Sequence, residues 1–394
     1  MAATATVIHS ARLLTGHEEI ADAWVLLSDG IITARGSGSG WRDALAAVPG
    51  GGAEPAIDVV DAAGLTLLPG FIDMHCHGAA GVAYDDPDQA EIERALALHR
   101  SHGTTRSVLS LVTAPVDALV TQVAHIAELT GQGLGVLGSH LEGPFLADEF
   151  RGAHDPTMLC SADAASIDRL VAAGAGTLRQ VTLAPELDGG MAAIERFVAA
   201  GVIVAVGHTA TDYAGARAAF AAGASVLTHA FNGMRGIHHR APGPVVAAMA
   251  EPQVTLELIN DGVHVHPDVV AMAFAGAPGR VALITDAMAA TGCSDGPYLL
   301  GSLEVDVLDG VARLAGGGSI AGSTLTLDRA LLHAVQGCGV PEQQAVAALT
   351  SVPARALGLA DRFGDLAVGY AADAVLVDVD FTVISVWADG ARAV

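Results

Sequence analysis

Between residues 67 and 284 short apolar runs alternate with longer stretches of helical character, and this rhythm restricts the fold more than any other feature of the chain. Eight runs stand out: Leu67–Met74, Thr104–Leu111, Val136–Leu141, Arg179–Leu183, Val202–Val206, Ser225–Leu227, Val254–Ile259 and Val281–Ile284. Short β-prone runs separated by helical stretches read as repeated βα units, which assemble into a parallel sheet. Eight such units predict an α/β fold of the (β/α)8 TIM-barrel type. An open doubly wound sheet is the rival, but no Gly-x-Gly-x-x-Gly follows the first run. Ala-Ala-Gly recurs at 172–174, 199–201 and 221–223, each time just before an apolar run, where a glycine helix cap is expected.

The two ends have a different texture. Trp24–Leu27 and Gly30–Ala34 are β-prone around Asp29-Gly30, a hairpin turn pair. Residues 36–52 are rich in Gly and Ala and read as a loop. Ala374–Val379 and Phe381–Trp387 are again β-prone, followed by the turn signal Asp389-Gly390. Both ends therefore predict one small β-sandwich domain, built from 1–66 and 367–394, beside a barrel spanning 67–366. Residues 293–322 interrupt the βα rhythm with two β-prone runs around Asp309-Gly310, which predicts an inserted hairpin before the last helix.

The chain of 394 residues carries 43 acidic and 19 basic side chains; all 19 are arginine and none is lysine, for a net charge of −24. So acidic a chain is a poor match for nucleic acid or an anionic membrane surface. An anionic substrate would need a local Arg or His cluster to receive it. Cys76, Cys160, Cys293 and Cys338 are far apart and form no Cys-x-x-Cys pair, which argues against a zinc ribbon or a disulfide framework. The start lacks a basic-then-apolar leader pattern and no run of about 18 apolar residues occurs, so a cytoplasmic protein is expected.

Polar residues collect just past the predicted strand ends: Asp73, His75 and His77 after the first, His140 and Glu142 after the third, His208 after the fifth, His229 and Asn232 after the sixth, Asp261 and His264 after the seventh, Asp286 after the eighth. In a barrel these ends converge on one face. Strand alternation puts His75 and His77 on the same side, where two imidazoles can share a metal, and Cys76 on the other. Singly, each histidine reads as an ordinary hydrogen-bonded side chain. Four histidines with a glutamate and an aspartate, each at a strand end, do not. Such ligands favour zinc or another first-row divalent ion. His99, His102, His125 and His333 fall in helical stretches and read as structural or surface residues.

This constellation resembles the amidohydrolase superfamily, with His-x-His on strand 1, histidines on strands 5 and 6 and an aspartate on strand 8. Many members bridge two metals with a carboxylated lysine; a chain without lysine does not fit that type, and Glu142 replaces it as bridging or sole acidic ligand. The runs His140-Leu-Glu-Gly-Pro-Phe-Leu146, Gly152-Ala-His-Asp-Pro156, Gly207-His-Thr-Ala210, Thr228-His-Ala-Phe-Asn-Gly-Met234, Asp261-Gly-Val-His264, Thr285-Asp-Ala287 and Ala321-Gly-Ser323 are similar, in order, to motifs of the N-acetylglucosamine-6-phosphate deacetylases.

That resemblance implies a metal-dependent amide hydrolase of amino-sugar catabolism and cell-wall recycling. It implies Glu142, His208 and His229 as shared metal ligands, with His75 and His77 for a second ion that some members lack. Zinc is the first expectation, with iron, cobalt or manganese as alternatives, one or two ions per subunit. Asp286 is implied as general base and acid, and His154 as a stabiliser of the oxyanion. Substrate contacts are implied for Ala153, His154, Asn232, Gly233, Arg240, Asp261, His264, Ile320, Ala321 and Gly322, with Arg240 and His264 at the phosphate. A homodimer is implied, with the phosphate-binding pair reaching the site from the neighbouring subunit. The residues leave the epimer open: N-acetylgalactosamine 6-phosphate or another N-acyl amino-sugar phosphate is the alternative substrate. D-aminoacylase or nucleobase deaminase chemistry fits the Arg240 and His264 pair less well, and a non-catalytic barrel fits the intact ligand set least.

Overall fold

A computed structural model of the chain describes residues 4–48 and 56–394. Eight parallel strands form one sheet in chain order: β1 (Phe71–Cys76), β2 (Thr104–Val112), β3 (Val136–Glu142), β4 (Leu178–Leu183), β5 (Ile203–Val206), β6 (Val226–Leu227), β7 (Thr255–Ile259) and β8 (Val281–Ile284). These strands are buried almost throughout, as in Thr255–Ile259 and Val281–Ile284. Burial on both faces explains why they appear in the sequence as continuous apolar runs rather than alternating ones. Regular ladders join each neighbour except β8 and β1. There a buried side chain closes the seam: Thr285 Oγ1 donates to Asp73 Oδ2 at 2.6 Å, and the Asp286 N–H donates to His75 O at 2.9 Å. The architecture is the expected TIM barrel.

Helices pack on the outside because their apolar residues recur at helical spacing. The helix Gln89–Ser101 buries Ile92, Ala95, Leu96 and His99. Its first turn is capped by the Asp88 carboxylate, which accepts from Ala90 N–H. Asp163 and Asp212 do the same for Ala164–Gly174 and Tyr213–Ala221. Each such cap contributes about 1 kcal/mol. Of the three Ala-Ala-Gly repeats, two end in a left-handed glycine, Gly201 and Gly223. In the third the left-handed residue is Ala175, and Gly174 is the last residue of its helix.

The strands from the two ends form one continuous sheet. Thr4–Leu14 and Glu19–Ser28 pair antiparallel, and Ile31–Ser37 follows across the Asp29-Gly30 turn, where both residues have positive φ. Ala374–Val377 and Val383–Ala388 complete it from the C-terminal side. The edge strand Ile31–Ser37 is also bonded to the segment that leads into Ala374–Val377: the Ile32 N–H donates to Tyr370 O at 2.9 Å, and the Gly369 N–H donates to Ile32 O at 2.8 Å. Inside lies a core that includes Ile8, Leu13, Val25, Leu27, Leu67, Leu376 and Trp387.

Four expectations are corrected. The run Leu67–Met74 is two strands: Thr66–Pro69 belongs to the small sheet, pairing with Arg12 and Leu13 and with Ala374–Val377, and only Phe71 onward enters the barrel. Pro69-Gly70 makes the break, and Gly70 N–H donates to Asp373 O. The expected loop over 36–52 contains a helix, Trp41–Ala46, whose Trp41, Ala44 and Leu45 cover Trp24 and Leu26; residues 49–52 lie outside the described residues. The insertion has three antiparallel strands, Gly296–Leu300, Leu303–Leu308 and Val311–Leu314, not two. After it come three α-helices, Leu327–Leu332, Glu342–Leu349 and Ser351–Ala356, rather than one.

Candidate active site

Barrel closure brings the strand-end residues together at one mouth. His75 and His77 stand on the same side of β1 and its end, with Nε2 atoms 3.2 Å apart. Glu142, the last residue of β3, lies between two groups of histidines. On one side its Oε2 is 3.1 Å from His77 Nε2 and its Oε1 3.5 Å from His75 Nε2. On the other its Oε1 is 3.1 Å from His208 Nε2 and 3.0 Å from His229 Nε2. Asp286 Oδ1 adds contacts of 3.4 Å to His75 Nε2 and 3.3 Å to His77 Nε2. Two ligand groups result, His75–His77–Glu142–Asp286 and Glu142–His208–His229, sharing Glu142.

Three of these residues, His208, His229 and Asp286, have positive φ. Left-handed backbone is unfavourable for side chains with a Cβ and persists where surrounding contacts impose it. Here it turns side chains at strand ends inward.

The donor chemistry fits a metal. His208 Nδ1 lies 2.9 Å from Phe150 O, and His229 Nδ1 3.2 Å from Asn232 O. A carbonyl only accepts, so each Nδ1 carries the proton and each Nε2 offers a lone pair. Those two lone pairs face each other at 3.0 Å beside a carboxylate. Without a cation between them this arrangement repels. Nitrogen and oxygen ligands at about 2.1 Å from one ion sit roughly 3.4 Å apart, close to the separations here. Glu142, Asp286 and Glu257 also bring buried carboxylates to a chain with no lysine. Buried charge requires a partner.

Electrostatics inside the ligand set points the same way. Burial disfavours the charged imidazole of His75, but Glu142 and Asp286 outweigh it and raise its pKa well above the usual value. His77 is pushed up to about 9 by the same two carboxylates against burial. Burial would raise Glu142, yet His75, His154, His208 and His229 hold it well below the ordinary range. Asp286 is lowered too, against its burial, chiefly by His75 and His77. The centre favours positive charge at the positions where ions would be held.

His154 differs. Burial and nearby His208 lower its pKa to about 4, so it is neutral near pH 7. The Thr113 N–H reaches His154 Nδ1 at 3.4 Å and the Thr113 hydroxyl lies 2.9 Å from the same nitrogen, while Nε2 faces the Glu142 carboxylate, an acceptor, at 3.5 Å, which favours the proton on Nε2. A neutral N–H donor thus faces the centre.

Above the ligands lies a cleft of about 360 Å³. Ala153, His154, Asn232, Gly233, His264, Ile320 and Gly322 line it, as do His77, Glu142, His208, His229 and Asp286. Ile320 and Gly322 come from the end of the insertion, tied to the centre by Ser323 N–H donating to Asp286 O at 2.7 Å. Glycine is required at 322: its φ is 61°, and a Cβ there would meet Asp286 O at 3.0 Å. Asp261 and Ala321 lie behind the wall. Asp261 Oδ2 pairs with His264 Nδ1 at 2.7 Å, and Ala321 is fully buried. Arg240 is exposed on the turn His238–Ala241, outside the cleft of its own chain and in no ion pair among the described residues.

Cys76 points away from the centre, as alternation requires, with Sγ 3.3 Å from His99 Nε2; burial pushes its thiol up to about 12. His99 is a buried structural residue, His102 pairs with Asp328, and His333 contacts Asn260. Sequence reasoning missed Glu149, Phe150, Ile259, Leu300 and Ser319 in the cleft wall. It also missed Glu257, beneath His75. The available signal was a lone carboxylate inside the apolar run Thr255–Ile259.

A closed (β/α)8 barrel with an imidazole–carboxylate cluster at one mouth defines a barrel protein built around a metal-type centre. A family model described as "Amidohydrolase family" matches residues 66–393. The chain belongs to the amidohydrolase family. It is 38% identical over 391 residues to an N-acetylgalactosamine-6-phosphate deacetylase of Escherichia coli O157:H7, covering 98% of this chain and 99% of that one. It is 36% identical over 383 residues to an N-acetylglucosamine-6-phosphate deacetylase of Vibrio furnissii, covering 96% and 92%. Among solved structures it is similar to a mutant N-acetyl-D-glucosamine-6-phosphate deacetylase from Mycobacterium smegmatis in complex with N-acetyl-D-glucosamine-6-phosphate. The TM-score is 0.90 and the identity 43%, over 99% of this chain and 100% of that one. Among the described residues no helix is long and apolar enough to cross a membrane.

Proposed function

We propose that the chain hydrolyses the acetamide of N-acetyl-D-glucosamine 6-phosphate, giving D-glucosamine 6-phosphate and acetate. The observation that carries this reading is the pairing of Asp286 with the shared-glutamate ligand set at the floor of a polar cleft. The 43% identical relative bound to that sugar phosphate supports the substrate.

Glu142, His208 and His229 would hold one divalent ion, and His75 and His77, with Glu142 and Asp286 beside them, a second; zinc suits this nitrogen and oxygen set, as do iron, cobalt and manganese. Such an ion acidifies a water molecule and polarises a carbonyl oxygen when bound. Asp286, ionised at neutral pH, takes the proton of the attacking water. The water oxygen adds to the acetamide carbon. His154 Nε2–H donates to the oxygen on which negative charge develops. Asp286 returns its proton to the nitrogen as the C–N bond breaks, and acetate and the amine leave.

Ala153, Asn232, Gly233, Ile320 and Gly322 would surround the sugar, with Ala321 backing them and Asp261 orienting His264. His264 would receive the phosphate together with Arg240. Because Arg240 lies outside its own chain's cleft, this reading requires a homodimer in which Arg240 serves the neighbouring site. A cytoplasmic location follows from a phosphorylated substrate that does not cross membranes unaided.

N-acetylgalactosamine 6-phosphate is the second reading, favoured by the 38% identical Escherichia coli relative. Acetate release from both epimers, with and without the 6-phosphate and after metal reconstitution, tests both. Highest kcat/KM on the phosphorylated gluco epimer supports the first reading. Preference for the galacto epimer supports the second. Absence of acetate release from any phosphorylated sugar overturns both.

A further inference from the structure

Glu257 sits in the middle of β7, fully buried one layer below the cleft. Its carboxylate receives three donors. Gln180 Nε2 donates to Oε1 at 2.8 Å, His75 Nδ1 lies 3.1 Å from Oε2, and the His229 N–H reaches Oε2 at 3.4 Å. The Nδ1 atoms of the histidines are served unequally. Those of His208 and His229 face backbone carbonyls, and that of His77 has no partner among the described residues. Only His75 of these four rests on a carboxylate. No arginine touches Glu257 among the described residues; its side-chain donors are Gln180 and His75.

We propose that Glu257 is a positioning residue for the second ion: it fixes His75 as the Nδ1–H tautomer, aims its Nε2 lone pair at His77, Glu142 and Asp286, and so decides whether that ligand group fills. The inference rests on the two-ion reading above. A carboxylate behind a metal-binding imidazole fixes ring orientation and makes the ring a stronger donor, an effect worth about 10–100-fold in metal affinity. The Glu142–His208–His229 group depends on it far less, because its imidazoles are held by Phe150 O and Asn232 O.

The test reads metal content, not turnover. Wild type, Glu257→Met, Glu257→Gln and His75→Asn are reconstituted with Zn²⁺, dialysed against buffered free Zn²⁺, and assayed for zinc per chain by atomic emission. Wild type is expected to hold two ions. Glu257→Met, of similar length but without an acceptor, is expected to hold one, matching His75→Asn. Glu257→Gln keeps the shape and a neutral acceptor and is expected to hold two, releasing the weaker ion at about 10–100-fold higher free Zn²⁺ than wild type. The ion retained by Glu142, His208 and His229 reports that the barrel is folded. Two equally tight ions in both Glu257 variants overturn the proposal alone. One ion in the wild type overturns the two-ion reading, and this proposal with it. Loss of both ions from both variants overturns it as well, because Glu257 would then support the whole barrel rather than one ligand group.

Discussion

Asp286 Oδ1 lies 3.3 Å from His77 Nε2, held there by a left-handed backbone whose N–H donates to His75 O and whose carbonyl accepts from Ser323. The carboxylate is fixed between the ligand set and the insertion, where a proton can pass between water and a leaving amine. Asp286→Asn preserves shape and removes the base. Turnover should fall by about 10³-fold, while zinc bound by Glu142, His208 and His229 is retained. Near-normal kcat in this variant, with metal content unchanged, would rule out the assignment.

His154 is neutral because burial and His208 lower its pKa to about 4, and the Glu142 carboxylate facing Nε2 at 3.5 Å favours the proton there. A neutral donor stabilises developing negative charge without binding the carboxylate product as a cation would. His154→Ala should reduce kcat by about 10²-fold with a smaller change in KM. A change confined to KM would show that His154 binds the ground state instead.

Most of the barrel was legible in the sequence for a physical reason: strands buried on both faces leave unbroken apolar runs. The same reason hid the break at Pro69-Gly70, because Thr66–Pro69 and Phe71–Cys76 are both buried and read as one run. The strand Gly296–Leu300 was hidden by its Gly-Pro start, and the helix at Trp41 by glycines around it. At the site, strand-end histidines announced themselves, since apolar runs stop there. Glu257 did not: one charged residue within Thr255–Ile259 looks like an interruption until the barrel brings the His75 ring to it across the interior, past the intervening strand β8. Arg240 was legible only by resemblance, because no side-chain contact among the described residues assigns it a task.

Asp73 closes the β8–β1 seam from below. Its carboxylate accepts from Thr285 Oγ1 at 2.6 Å and from the His75 N–H at 3.2 Å, with burial raising its pKa. Asp73→Ala leaves these donors unsatisfied in a dry interior, at a cost of about 1–3 kcal/mol for each strongly buried group. The melting temperature should fall by several degrees. Thr285→Val alone should cost less, and the double variant less than the sum, because both substitutions break one network. Full additivity would show that the seam is held by other contacts.

Asp261 gives the clearest pH signature outside the ligand set. Burial opposes its charge, but His264 and the N–H groups of Val263 and His264 outweigh burial and hold its pKa below the usual value. A carboxyl depressed on folding contributes stability that is complete above its unfolded pKa, about 3.9, and is lost as pH falls through the folded value. Denaturant melts of wild type and Asp261→Asn should therefore differ by a constant amount near pH 7 and converge below about pH 4. A difference that persists unchanged into acid would mean that the ionised carboxylate is not the source of the stability.

Arg240 separates the phosphate reading from an ordinary surface role. Exposed and without an acid partner among the described residues, it is expected to contribute nothing measurable to its own chain's fold, so Arg240→Ala should leave the melting temperature unchanged. A charge-assisted contact to phosphate is worth about 1.5–3 kcal/mol, so KM for N-acetylglucosamine 6-phosphate should rise by about 10–100-fold. The unphosphorylated sugar, which lacks the group Arg240 would bind, should be hydrolysed as before. If Arg240 serves the neighbouring subunit, mixing Arg240→Ala with inactive Asp286→Asn chains should restore low-KM activity: a hybrid dimer joins one intact Asp286 to the Arg240 of its partner. Equal small effects on both sugars, or hybrids no better than the Arg240→Ala parent, would remove Arg240 from the site.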